Sequence, residues 1–161
     1  MPEVFIGIGS NLGDRRANIQ KALGSLGRSP DINIKEISEI YETEPVGGPP
    51  QGKYLNAVSR LTTPLGPAEL LKLLKEIEEA MGRSPAEKDN PRVIDLDILL
   101  YGDITLDGKS LKVPHPRMHL RKFVLRGMSQ IAPDIRHPLN GKTMRRLYME
   151  ISDGERDEGN K

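Results

Sequence analysis

Arg92-Val93-Ile94-Asp95-Leu96-Asp97-Ile98-Leu99-Leu100 is the stretch on which the fold turns. Residues 93–101 are aliphatic or aromatic apart from two aspartates, and they read as a strand. Side chains two apart on a strand share a face, so Asp95 and Asp97 project together while Ile94, Leu96 and Ile98 face a core on the other side. Two carboxylates held side by side repel each other and resist desolvation unless a cation neutralises them. Their hard oxygens suit Mg²⁺, which keeps several waters and bridges one or two carboxylates to substrate phosphates. The competing reading is a pair balanced by Arg92 at a solvated strand end.

Upstream, Pro67 opens a helix whose Leu70, Leu71, Leu73, Leu74, Ile77 and Met81 form one apolar face. Residues 54–61 read as the strand before it. Residues 44–52 are too rich in Gly and Pro for regular structure and form a loop. Ile32, Ile34, Ile37 and Ile40 mark a further strand over 32–41, whose alternation slips once, as at a bulge. At the start, Val4-Phe5-Ile6-Gly7-Ile8-Gly9 reads as a buried strand. Asp14 caps a following helix carrying Ile19, Ala22, Leu23 and Leu26, with Gly27 at its end. The order β-α-β-β-α-β predicts an α+β, ferredoxin-like βαββαβ sandwich, a mainly antiparallel sheet with flanking helices. Downstream, Val113-Pro114-His115-Pro116 is extended, because each proline disfavours helix at the residue before it. A short basic helical stretch follows through Arg126. With no repeat and no dividing linker, residues 1–151 are expected to form one domain, and the charged residues 152–161 a disordered tail.

Composition narrows the classes. The 161 residues include no cysteine, which excludes disulfides and thiolate metal sites. No apolar run approaches the roughly 18 residues that span a bilayer. No basic region precedes the first apolar stretch, so a signal peptide is not expected and a cytoplasmic location is. The net charge of +1 hides an uneven spread: positions 109–146 hold ten Lys or Arg against Asp134 alone. Such a stretch either attracts an anionic ligand or neutralises acids elsewhere, such as Glu76, Glu78 and Glu79.

Other residues gain meaning beside the aspartates. Arg83, Lys88 and Arg92 bracket them from a charged loop, and an arginine fork matches phosphate oxygens, although charged loop residues are more often simply solvated. His115, stiffened by a proline on each side, offers an imidazole to the same anion, and Arg121 reaches it if the turn folds back. Tyr54 and Phe123 stand beside lysines, where flat rings serve either ordinary packing or a stacked heterocycle. Asn56 shares the strand face of Tyr54 and supplies both donor and acceptor. Gly7-Ile8-Gly9-Ser10-Asn11-Leu12-Gly13 lacks the third glycine and the βαβ context of a dinucleotide fingerprint, and is discounted as one.

Taken together, Gly9-Ser10-Asn11-Leu12-Gly13-Asp14, Tyr54-Leu55-Asn56, Pro91-Arg92-x-x-Asp95-Leu96-Asp97-Ile98-Leu99 and Val113-Pro114-His115-Pro116-Arg117-Met118 resemble, in order, the 6-hydroxymethyl-7,8-dihydropterin pyrophosphokinase family. The similarity runs from about residue 4 to about residue 148. The resemblance implies transfer of the β,γ-pyrophosphoryl unit of ATP to the pterin's 6-hydroxymethyl oxygen, with release of AMP, in folate biosynthesis. It implies that Asp95 and Asp97 hold two Mg²⁺ ions. Arg83, Arg92, His115 and Arg121 match phosphate-contacting positions, with Arg83 and Arg92 also catalytic, and Glu78 and Ile98 match positions near the nucleotide. Tyr54 and Phe123 would sandwich the pterin, Asn56 would bond its edge, and Thr43, Glu44 and Val46 would meet it through backbone groups. Asn90 stands where the family usually has glycine, and Gly127 where proline is common. The implied partners are small molecules, with neither nucleic acid nor membrane, and the chain is expected to be a monomer or at most a weak dimer.

Two other readings stand beside this one. A different Mg²⁺-dependent phosphotransferase or phosphohydrolase would use the same aspartates. A ferredoxin-like nucleic-acid module would use the basic stretch, but it calls for paired aromatics in an RNP-type motif, and the sequence has none.

Overall fold

The computed structural model describes residues 1–43, 52–82 and 92–152 of the chain. Strands β1 (Glu3–Ser10), β2 (Asn33–Ile37), β3 (Tyr41–Thr43), β4 (Tyr54–Thr62) and β5 (Asp95–Tyr101) form one antiparallel sheet in the order β2-β4-β1-β5, with β3 also pairing β4. With β2 and β3 counted as one interrupted strand, order and sense are those of the expected ferredoxin-like sheet. The slip read from the isoleucines lies within β2, ahead of the interruption at residues 38–40. Register shifts between Ile34 and Glu36. Ser38 then takes over the ladder, its N–H donating to Val58 O and its Oγ accepting from Val58 N, both at 2.8 Å. A hydroxyl that substitutes for a backbone acceptor ends one strand segment and lets the next begin.

Both faces of the sheet are covered. On one, Val4, Ile6, Ile8, Leu61, Leu96 and Ile98 pack against α1 (Arg15–Arg28) and α2 (Pro67–Ala80). Asp14 Oδ1 caps α1 by accepting from Ala17 N at 3.2 Å. The helix runs one residue past Gly27, to Arg28, with Ser29 as its C-cap. Glu69 reaches back to the Gly66 N–H at 3.2 Å to start α2, with Pro67 in its first turn.

On the other face, Phe5, Val58, Leu99 and Leu100 pack against α3 (Lys122–Ile131) and α4 (Met144–Ser152). β5 begins at Asp95 rather than at residue 93. It serves both cores through a bulge: Ile6 faces Ile98 but Phe5 faces Leu100, so Leu99 is the extra residue. The basic stretch expected to end at Arg126 continues to Ile131, because Val124, Leu125, Met128 and Ile131 recur on one buried face. α4 was not foreseen in the sequence; it buries Met144, Leu147 and Ile151.

A hairpin of β6 (Leu106–Asp107) and β7 (Lys112–Val113) follows β5, and a cis Val113–Pro114 bond leads from it towards a 3₁₀ turn at Met118–Leu120. Of the tail expected over residues 152–161, Ser152 is the last residue of α4, and residues 153–161 lie outside the described residues. Among the described residues no helix is long and apolar enough to cross a membrane.

Candidate active site

The cleft is a consequence of two glycines. On β1, Phe5, Gly7 and Gly9 alternate on the α3 face, and only Phe5 carries a side chain for that core. Register carries the pattern across the sheet: Asn56, Gly9 and Asp95 form one row, and Val58, Gly7 and Asp97 the next. With strands about 4.8 Å apart, the bare glycine strand separates Asn56 from Asp95 by about 10 Å. Over this floor opens a cleft of about 500 Å³, walled by Tyr54, Asp95, Asp97, His115, Arg121 and Phe123. At Gly9 an added Cβ would stand 3.0 Å from Asn56 Oδ1 and 3.5 Å from the Tyr54 ring, so the glycine leaves room for both.

Asp95 and Asp97 are half-buried and face the cleft, while Leu96 and Ile98 are buried on the α2 side, as the alternation requires. Arg92 Nη1 lies 3.3 Å from Asp95 Oδ1, so the ion pair weighed against the metal is present. The donor set is two carboxylates on one strand face, and among the described residues no group of three or more potential ligands gathers. A Mg²⁺ ion fits such a site when phosphate and water complete its sphere. An anion is also anticipated. Arg92 Nε and Arg121 Nε are buried with no hydrogen-bond partner among the described residues, a costly state that a phosphate oxygen would relieve.

His115 is fixed by its own N–H to Leu99 O at 2.9 Å. Burial, and then the nearby Arg121 charge, push its pKa down to about 4, against a smaller upward pull from Asp95. It is therefore neutral at neutral pH. Its Nδ1 accepts from Arg117 N at 3.3 Å, which leaves the proton on Nε2 as a donor. On the other side of the cleft, Asn56 Nδ2 donates to Thr43 Oγ1 at 2.5 Å, joining β3 and β4. The Arg121 guanidinium carbon lies 5.8 Å from the Phe123 ring centroid.

Of the residues singled out in the sequence, Tyr54, Asn56, Asp95, Asp97, His115, Arg121 and Phe123 line this one cleft. Thr43 and Arg92 touch residues of it. Ile98 does not line it, its side chain lying in the core on the α2 face. Glu78 approaches from α2, where Oε2 accepts from the Leu96 N–H at 2.8 Å, between the two aspartates. Arg83, Glu44, Val46, Lys88 and Asn90 lie outside the described residues. Sequence reasoning missed the part played by Gly7 and Gly9, although glycine at alternate positions of an apolar strand was its signal. It also missed Asn11, whose Oδ1 accepts from Arg92 N at 2.6 Å.

Residues 5–133 match the model of the 7,8-dihydro-6-hydroxymethylpterin-pyrophosphokinase (HPPK) family. The chain is 40% identical over 150 residues to 2-amino-4-hydroxy-6-hydroxymethyldihydropteridine pyrophosphokinase of Aquifex aeolicus, covering 93% of this chain and 92% of that one. It is 42% identical over 135 residues to the protein of the same name from Pseudomonas aeruginosa, covering 84% and 83%. Among solved structures, Plasmodium falciparum HPPK-DHPS with pteroate superposes with a TM-score of 0.77 at 15% identity. That likeness covers 94% of this chain but 44% of the Plasmodium one, so this chain spans less than half of it. At such low identity it speaks for the fold. The family match and the two bacterial relatives speak for descent, and the chain belongs to the 7,8-dihydro-6-hydroxymethylpterin-pyrophosphokinase family.

Proposed function

We propose that the cleft transfers the pyrophosphoryl group of ATP to 6-hydroxymethyl-7,8-dihydropterin, releasing AMP, as a step of folate biosynthesis. The observation that carries this is the pair of rows across the sheet, with an amide at one side of a glycine floor and two carboxylates at the other. The pterin half would lie by Asn56, Tyr54 and Phe123. Asn56 has the donor and acceptor to read a heterocycle edge, and the two rings offer stacking faces. Thr43, Glu44 and Val46 would meet the pterin through their backbone.

The phosphate half would lie by Asp95 and Asp97. They would hold Mg²⁺, two ions in this reading, which when bound neutralises the phosphate chain. Arg92 and Arg121 contribute guanidinium forks, Arg83 a further one, and neutral His115 an Nε2–H donor. Glu78 and the Ile98 main chain would stand on the nucleotide side of β5. The pterin hydroxymethyl oxygen bonds to the β-phosphorus as the bond from that phosphorus to the α,β-bridging oxygen breaks. AMP leaves with the electron pair, and the hydroxyl proton passes to solvent. The residues serve alignment and charge stabilisation, which are the main demands of phosphoryl chemistry. No side chain is assigned as general base.

Asp97→Asn tests the assignment. Turnover is expected to fall about a thousandfold, the scale of several kcal/mol of lost charge stabilisation. The thermal midpoint should stay near that of the parent, and calorimetric titration of Mg²⁺ with a nonhydrolysable ATP analogue should lose its metal dependence. Near-normal turnover would remove Asp97 from the metal site. AMP release by the parent without the pterin present would point to a different phosphotransferase or phosphohydrolase.

A further inference from the structure

Tyr41 stands at the end of the row that runs through Asn56 and Gly9 to Asp95, but it is buried and is not part of the cleft wall. Its hydroxyl donates to the Phe123 carbonyl and accepts from the Gly127 N–H at 3.1 Å. Those groups are four residues apart in α3, the acceptor and donor that α-helical geometry joins directly. A side-chain hydroxyl set between such a pair is a known means of tilting one helical turn against the next. Residue 127 must be glycine for the arrangement to exist, since a Cβ there would stand 2.9 Å from the hydroxyl and 2.5 Å from Val58 Cγ2. The ring is held from the solvent side as well. The Arg126 guanidinium carbon lies 4.3 Å from its centroid, and Arg126 pairs with Glu39 at 3.0 Å.

Phe123 belongs to the turn so held. We infer that Tyr41 is a positioning residue for the pterin half of the cleft, fixing where the first turn of α3 presents the Phe123 ring opposite Tyr54. The inference rests on the reading of Phe123 as a pterin contact. Tyr41 does not line the cleft, and both hydrogen bonds of its hydroxyl go to α3, so removing the hydroxyl acts on the substrate through that helix.

Tyr41→Phe keeps the ring and its contact with Arg126 and removes only the hydroxyl. The KM for pterin is expected to rise about tenfold, the scale of one lost hydrogen bond, while the KM for ATP moves less than about twofold. Labelling with fluorophenylalanine adds a readout that general loosening would not mimic. The parent chain has two phenylalanines, Phe123 and Phe5, the latter in the core beneath the same helix. Tyr41→Phe adds a third label at position 41, so the Phe123 and Phe5 resonances are each assigned by their loss in Phe123→Leu and Phe5→Leu before comparison. The Phe123 fluorine resonance should shift and the Phe5 resonance should stay. In a Phe123→Ala background, Tyr41→Phe should cause no further loss of pterin affinity, because no ring remains to be positioned.

Pterin affinity that falls in Phe123→Ala but holds in Tyr41→Phe would overturn the inference and leave the reading of Phe123 intact. Fully additive losses in the double variant would also overturn it. Unchanged affinity in Phe123→Ala would sink the reading of Phe123 itself, and the inference with it.

Discussion

Glu78 is 8% exposed, and it accepts the Leu96 N–H on the open edge of β5, on the side away from β1. A carboxylate there satisfies an amide that would otherwise be orphaned between the two aspartates. Glu78→Ala is expected to cost about 1–3 kcal/mol in chemical denaturation, the range for a buried donor left unpaired. Glu78→Gln, whose amide oxygen can still accept, should recover most of that loss. Equal destabilisation by both would show that the charge matters rather than the acceptor. The sequence placed Glu78 near the nucleotide only through family resemblance, because a bond between residues eighteen positions apart leaves no local pattern. Asp95 and Asp97 were legible for the opposite reason: strand alternation alone sets them on one face and Ile94, Leu96 and Ile98 on the other.

The turn joining β1 to α1 gives the discounted glycine-rich segment a use at the level of elements. Asn18 Nδ2 donates to Ser10 Oγ at 3.3 Å and to Leu12 O at 2.8 Å, which shapes the turn from within. From this turn Asn11 exchanges bonds with Arg92, its N–H donating to Arg92 O at 3.0 Å and its Oδ1 accepting from Arg92 N. Arg15, the first residue of α1, bonds Lys53 O at 2.8 Å and pairs with Glu42 at 2.9 Å, tying the start of the helix to β3 and to the residue before β4. One turn thus fastens the Asp95 side of the cleft and the Asn56 side. Asn11→Ala should weaken ATP binding severalfold and cost about 1–2 kcal/mol, since it frees Arg92, while pterin affinity changes less. Titration of each ligand separately checks this, and equal loss for both would break the link to Arg92. Periodicity found four of the main strands and two helices because each has an amphipathic pattern of its own. It overlooked α4, which follows a Pro- and Gly-containing turn and exposes Met149 beside Arg145 and Arg146, and it could not show that Ser38 divides a strand, since that depends on Val58 across the sheet.

Across the whole molecule, six of the ten basic residues between positions 109 and 146 fall to one or other of two uses, surface ion pairing or the cleft. Lys112, Arg126, Lys142, Arg145 and Arg146 each pair with a nearby acid at the surface, whereas Arg121 and His115 line the cleft. Burial also depresses two histidines on the same side of the sheet. His137 is 3% exposed and packs edge-on to His119 with ring centroids 5.5 Å apart. Its Nδ1 accepts from Leu139 N at 3.3 Å and Asn140 N at 3.4 Å. Burial first, and His119 second, push its pKa down to about 4, and His115 falls to about 4 as well. The unfolded chain takes up these protons near pH 6.5, while the native protein refuses them until about pH 4. Stability is therefore fully present above about pH 6.5, declines as pH falls through that window, and levels off with respect to these groups below about pH 4. Urea midpoints measured from pH 7 to pH 4 should fall steadily. His137→Asn, whose side-chain oxygen can take the place of Nδ1 in the turn, should make the decline shallower. A parent midpoint that stays level from pH 7 to about pH 4.5 would mean that these histidines are not held neutral by the fold.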